Sequence, residues 1–134
     1  MPNTNETTRT FSATVIGASK ELTVQEKIKL KDTRDATSLE QISREGAVVV
    51  HIVGYAVLAI HNEKSEDKDY KQYLLIGADG TKYVTGSEAF FNSFTDIWDD
   101  LSELDMPENG WEIKVYQKPS KNFQGRNFVT CSLA

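Results

Sequence analysis

Residues 46–60 read GAVVVHIVGYAVLAI, the longest apolar run in the chain. The run is too short and too interrupted to span a bilayer, which takes about 20 apolar residues. Its Val and Ile content suits a pleated sheet, where β-branched side chains pack well. Gly54 stands in the middle of the run. A glycine inside a strand pattern marks a bulge, a bend or a close backbone approach. Two arrangements fit: one long strand that bends so as to serve both sides of a small barrel, or a plain buried strand followed by a second, short one.

On the C-terminal side, residues 61–69 (HNEKSEDKD) form a charged loop whose composition cannot be buried. Strand character resumes over residues 70–76 (YKQYLLI), and Asp79-Gly80 turns the chain into a partner strand at 81–84 (TKYV). A helix opens next: Thr85 with Glu88 fits a capping box, and Ser87 is the alternative cap. Phe90, Phe94, Ile97, Leu101 and Leu104 recur at spacings of four and three, which places them on one face. Pro107 and Asn109-Gly110 end the helix. Residues 111–116 (WEIKVY) alternate, with Trp111, Ile113 and Val115 on one side and Glu112, Lys114 and Tyr116 on the other. Residues 128–133 (FVTCSL) close the chain as a strand. Trp98 and Trp111 read as core.

On the N-terminal side, residues 1–10 are polar and aperiodic, a disordered terminus. Residues 11–16 (FSATVI) suit a short strand, and Thr23 with Glu26 caps a short helix over 24–31. Residues 31–43 (KDTRDATSLEQIS) mix turn formers with charges around two apolar anchors, Leu39 and Ile42; they are a docked loop or a functional segment. The fold class expected is mainly β: a five-stranded OB-like barrel with a helix between strands 3 and 4. It occupies one domain, residues 11–134, with 11–45 as an N-terminal addition. OB barrels commonly bind oligonucleotides. The rival is a small α+β domain with an antiparallel sheet.

The chain has 134 residues and a net charge of -5, one domain by size. The single cysteine, Cys131, excludes an intrachain disulfide and a multi-cysteine metal site, and suits a reducing cytosol. No signal peptide is visible after Met1. Chemistry of an enzymatic kind finds little to use. His51 lies inside the apolar run and His61 beside the charged loop, and neither belongs to a metal motif. No phosphate loop, dinucleotide fingerprint or serine elbow is present. Asp96 with Asp99 or Asp100 has helical spacing for a divalent cation, but a solvated helix face accounts for it. No enzyme, no cofactor and no metal site is expected.

Binding finds more. Residues 96–108 hold six acidic residues and no Lys or Arg, whereas 111–134 hold Lys114, Lys118, Lys121 and Arg126 against Glu112 alone, a net of +3. Tyr116, Phe123 and Phe128 are interleaved with those cations. Cations for phosphates and rings for bases are what hold single strands without sequence readout. Tyr55, Tyr70, Tyr73 and Tyr83 supply further platforms on neighbouring strands if they share that face. A second basic cluster, Lys27, Lys29, Lys31 and Arg34, is either a further contact or an exposed helix face.

The runs KYVTGSEAFFNSF and WEIKVYQKPSKNFQGRNFVTCSL resemble OB-fold single-stranded DNA-binding proteins of tailed bacteriophages. The likeness centres on a final hairpin built from Ser120, Lys121, Asn122, Phe123, Gly125, Arg126 and Phe128; residues 29–41 are similar to the region that precedes the barrel in such proteins. The chain departs from many replication proteins of this kind in ending on an apolar strand and not on an acidic tail. The resemblance implies binding of single-stranded DNA without strong sequence preference during phage DNA replication or recombination. It implies a cytoplasmic location in the bacterial host, with replication or recombination proteins as further partners and no membrane. The residues expected to carry binding are Lys114, Tyr116, Lys118, Lys121, Asn122, Phe123, Arg126 and Phe128, with Tyr73 and Tyr83. Oligomeric state is left open. The alternative from another class is an acidic protein-interaction module, an adaptor or inhibitor, with no nucleic-acid role.

Overall fold

One strand of fifteen residues, β3 (Val48–Asn62), runs through the whole sheet. It realises the bent-strand arrangement. Its register with β4 (Asp69–Gly77) slips between Ile52 and Gly54. The extra residue inverts the alternation: Val50 and Ile52 share a core with Tyr55, while Ala56, Leu58 and Ile60 pack into another. A bulge of this kind bends a strand and increases its twist. The computed structural model that shows this describes residues 10–120 and 126–134; the terminus expected to be disordered lies outside them, apart from Thr10.

The remaining elements are β1 (Phe11–Ala18), α1 (Val24–Lys31), β2 (Thr37–Ser38), α2 (Leu39–Ile42), β5 (Lys82–Thr85), α3 (Glu88–Leu101), β6 (Trp111–Pro119) and β7 (Asn127–Leu133). The protein is mainly β, a curled half-barrel sheet with few helices. Strand order is β2-β5-β4-β3-β6-β7, and β1 pairs with β3 beside β6. The C-terminal half of β3 is thus flanked by β1 and β4, and its N-terminal half by β6.

The expected count of five strands is corrected to seven among the described residues, and α3 follows the fifth strand, not the third. The two additional strands come from residues 11–45. That segment is part of the sheet because β3 outruns β6: without β1, residues 56–62 would present an unpaired apolar edge.

Two cores result. The inner one joins Val50, Ile52, Leu75, Ile113, Val115, Val129 and Cys131 to Leu39 and to Phe90 and Phe94 of α3. The outer one joins Ala56, Leu58, Ile60 and Leu74 to Leu30 of α1, with Val15 of β1 packed on it. Thr23 accepts from the Glu26 amide and Glu26 accepts from the Thr23 amide, the reciprocal cap read from the sequence. Between α1 and the β3 bulge lies a groove of about 630 Å³, walled by Leu22, Ile28, Leu30, Val53 and Ile76. Ser87, not Thr85, caps α3, accepting from the Phe90 amide at 3.0 Å. Helix α3 stops at Leu101, so Leu104 falls beyond it and is exposed; at the start of the helix Phe91 stacks on Tyr73.

Candidate nucleic-acid interface

Strand β6 is β-branched and aromatic at alternate positions, so it buries Ile113 and Val115 and turns Glu112, Lys114, Tyr116 and Lys118 outward. Strand β7 does the same, burying Val129 and Cys131 and turning Phe128, Thr130 and Ser132 out. Register places Lys114 opposite Ser132, Tyr116 opposite Thr130, and Lys118 opposite Phe128. Lys114, Tyr116, Lys118 and Phe128 therefore point to one side of the ribbon, the two lysines and Phe128 exposed and Tyr116 half-buried.

Their geometry is specific. Lys114 Nζ lies 5.3 Å from the centroid of the Tyr116 ring and Lys118 Nζ lies 5.8 Å from it. Both distances are within cation–π range. Among the described residues no carboxylate lies within 4.0 Å of either ammonium. Phe128 is 44% exposed, so its ring is open to solvent on this face. Diagonal neighbours on adjacent strands lie about 7–8 Å apart, so Tyr116 and Phe128 stand as adjacent rings, with Lys118 over Tyr116 and paired across the ribbon with Phe128.

The ends of the hairpin are held together by the Ser120 amide, which donates to the Arg126 carbonyl at 2.8 Å. Arg126 is exposed at the rim of the face. Lys121, Asn122 and Phe123, also expected to bind, lie outside the described residues, as does Gly125.

Tyr73 does not join the site, and this corrects the expectation that it adds a platform; Tyr83 is half-buried and lines a surface pocket with Val49 and His51. Tyr73 is 6% exposed and stacks on Phe91 at 4.5 Å between centroids. Tyr83 pairs with Leu75 and packs against the inner core. Burial pushes both phenols above their ordinary pKa. The opposite side of β4 and β5 is no more available: Leu74, Ile76 and Val84 lie under α1 and β1. Tyr55 is also inside, edge-on to Phe91, Phe94 and Trp98.

The second basic cluster is partly neutralised. Arg34 makes a two-pronged pair with Asp32, both contacts at 2.9 Å, and holds that carboxyl far below the ordinary carboxylate range. One residue of the exposed face escaped sequence reasoning. Val49, 51% exposed, pairs with Lys114 and extends the face onto β3. In a run of three valines no alternation marks which one faces out; only pairing with β6 decides it. His51, outward on the same strand, lies 4.0 Å from Glu112.

Compared with family models, with curated proteins and with solved structures, the chain matches none. Among the described residues no helix is long and apolar enough to cross a membrane.

Proposed function

We propose that the protein binds single-stranded DNA, without strong sequence preference, on the outer face of β6 and β7. The observation that carries this reading is Tyr116 between two lysines, with Phe128 exposed across the strand from Lys118. Lysines neutralise phosphates, and rings accept any base because every base has a π-face. We read the sheet as an OB-type barrel: β3, β4 and β5, then α3, then β6 and β7, is the OB order of five strands with a helix between the third and fourth. Many OB domains bind on the face of their second and third strands. Here α1 and β1 cover that face, which moves the site to the last hairpin. The resemblance in that hairpin is what supports a role in phage DNA replication or recombination, inside the bacterial host.

A titration of fluorescent oligo-dT of about 30 nucleotides, against duplex of equal mass and at two salt concentrations, tests it. Several OB-sized sites fit on that length. Tight, salt-sensitive binding of the single strand over duplex is expected. No binding at low salt refutes it.

One observation favours the adaptor class instead. Leu104 is 63% and Met106 43% exposed, flanked by Glu103, Asp105 and Glu108. An acidic, apolar segment of this kind suits a basic protein partner, and the same titration separates the two readings.

A further inference from the structure

The ribbon that carries the site is thinly supported along its strand edges, although α3 packs on the inner side of β7. Pairing of β6 with β3 stops at Val115, and residues 116–119 pair only with β7. The other edge of β7 carries no strand among the described residues. Tyr116, Lys118 and Phe128 therefore stand on a two-stranded ribbon, a structure that is marginal alone in water.

Residues 37–43 fill the gap between that ribbon and β5. Thr37 and Ser38 pair in parallel with Tyr83 and Val84 of β5, and α2 packs on both β5 and β7. Leu39 is fully buried in the inner core. Thr85 Oγ1 donates to Glu40 Oε2 at 2.7 Å. From the other side Gln117 Nε2 donates to the Glu40 carbonyl at 2.9 Å and to Ser43 Oγ at 3.1 Å. Ser43 Oγ in turn donates to the Leu39 carbonyl at 2.7 Å. Gln117 sits between Tyr116 and Lys118 in sequence and points the opposite way.

We propose that residues 37–43 are a strap that latches the β6–β7 ribbon to β5, and that Gln117 is a positioning residue for the strand-binding face. The second half of this statement rests on the function proposed above; the latch itself does not. By linkage, what the strap does for bound DNA, bound DNA does for the strap.

Gln117→Met keeps length and removes the donor. In the absence of nucleic acid, amide exchange in residues 127–131 is expected to accelerate by up to about tenfold, the upper end of the net worth of a protein hydrogen bond, while residues 55–60 of β3 keep their protection. Affinity for oligo-dT falls by a similar factor. In the wild type, oligo-dT slows exchange of the Ser43 amide, although the strap lies behind the binding face. Should Gln117→Met fold poorly, Ser43→Ala removes one acceptor and gives a smaller shift in the same direction. Unchanged exchange in 127–131 overturns the latch. Binding of oligo-dT without any change at Ser43 overturns the positioning role. A wild type that ignores oligo-dT removes the binding function, and the exchange data still decide the latch.

Discussion

Ser19 Oγ occupies the space that a β-carbon on Gly54 would need: the two would stand 2.8 Å apart. The hydroxyl is there for a reason. It accepts from the Tyr55 amide at 3.0 Å, while the Ser19 amide donates to the Tyr55 carbonyl at 3.0 Å. At the bulge the β3 backbone leaves its regular ladder, and Ser19, just past β1, satisfies what the bulge exposes. Glycine at 54 is a matter of close approach here, since only its missing side chain lets Ser19 reach the backbone.

Gly54→Ala is therefore expected to destabilise the fold by about 1–3 kcal/mol, the range for overpacking or for a buried amide that loses its partner. Ser19→Ala costs a similar amount. The double variant costs clearly less than the two together, because one alanine makes room for the other. Additive losses in denaturant titrations would show that the two positions do not share that space.

Lys82 pins the N-terminal addition to the sheet. Its ammonium donates to the Lys29 carbonyl at 2.9 Å and to the Asp32 carbonyl, and it pairs with Asp35 at 3.4 Å. A cation on the last carbonyls of α1 also complements the helix dipole. The side chain is 16% exposed. Lys82→Met should cost about 1–2 kcal/mol and raise amide exchange in α1 well before that of β3. Equal acceleration in both would mean that α1 is not separately tethered.

Local signals in the sequence were readable where they were self-contained. The Thr23–Glu26 box, the Asp79-Gly80 turn, the bend at Gly54 and the alternation of WEIKVY each lie within a few residues of what they determine. Residues 31–43 were unreadable because their partners are distant: Gln117 meets the Glu40 carbonyl 77 positions along the chain. Tyr73 misled for a different reason. Strand β4 is covered on both faces, by α3 on one and by α1 with β1 on the other, so YKQYLLI shows no alternation to reveal where Tyr73 points. Leu104 misled because its spacing continues a stripe that the helix does not follow beyond Leu101.

His61 closes the loop between β3 and β4. Its Nδ1 lies 2.7 Å from Asp69 and its Nε2 3.5 Å from Glu63. The hydrogen bond to Asp69 chiefly raises its pKa above the ordinary histidine value. A raised folded-state pKa contributes stability that is full below about pH 6.5 and is lost as pH rises through the folded value. In a proton NMR titration the His61 midpoint should lie above that in Asp69→Asn. Coincident midpoints would remove the ion pair from the account.

Cys131 reports on β7. It is 7% exposed, and burial pushes its thiol up to about 12. The thiolate is the reactive form, so a disulfide reagent at pH 8 should label the native protein very slowly and at a rate that follows global unfolding as denaturant is added. Rapid labelling in native buffer would show that β7 opens on its own.

The binding face itself is tested by comparing outward and inward aromatics. Tyr116→Ala and Phe128→Ala remove outward-facing rings, half-buried and exposed respectively, so each should lower oligo-dT affinity by about 1–3 kcal/mol, the worth of a base stacked on a ring, with less change in Tm than a core truncation. Tyr73→Ala empties part of the core beside Phe91; it should lower Tm and leave binding by the folded fraction unchanged. Lys118→Ala should reduce the slope of log affinity against log salt by about 0.7, the value for one phosphate contact on a single strand. The outcome that defeats the assignment is the reverse pattern. If Tyr73→Ala weakens binding at temperatures where it is folded while Tyr116→Ala and Phe128→Ala do not, the strand lies elsewhere on the sheet.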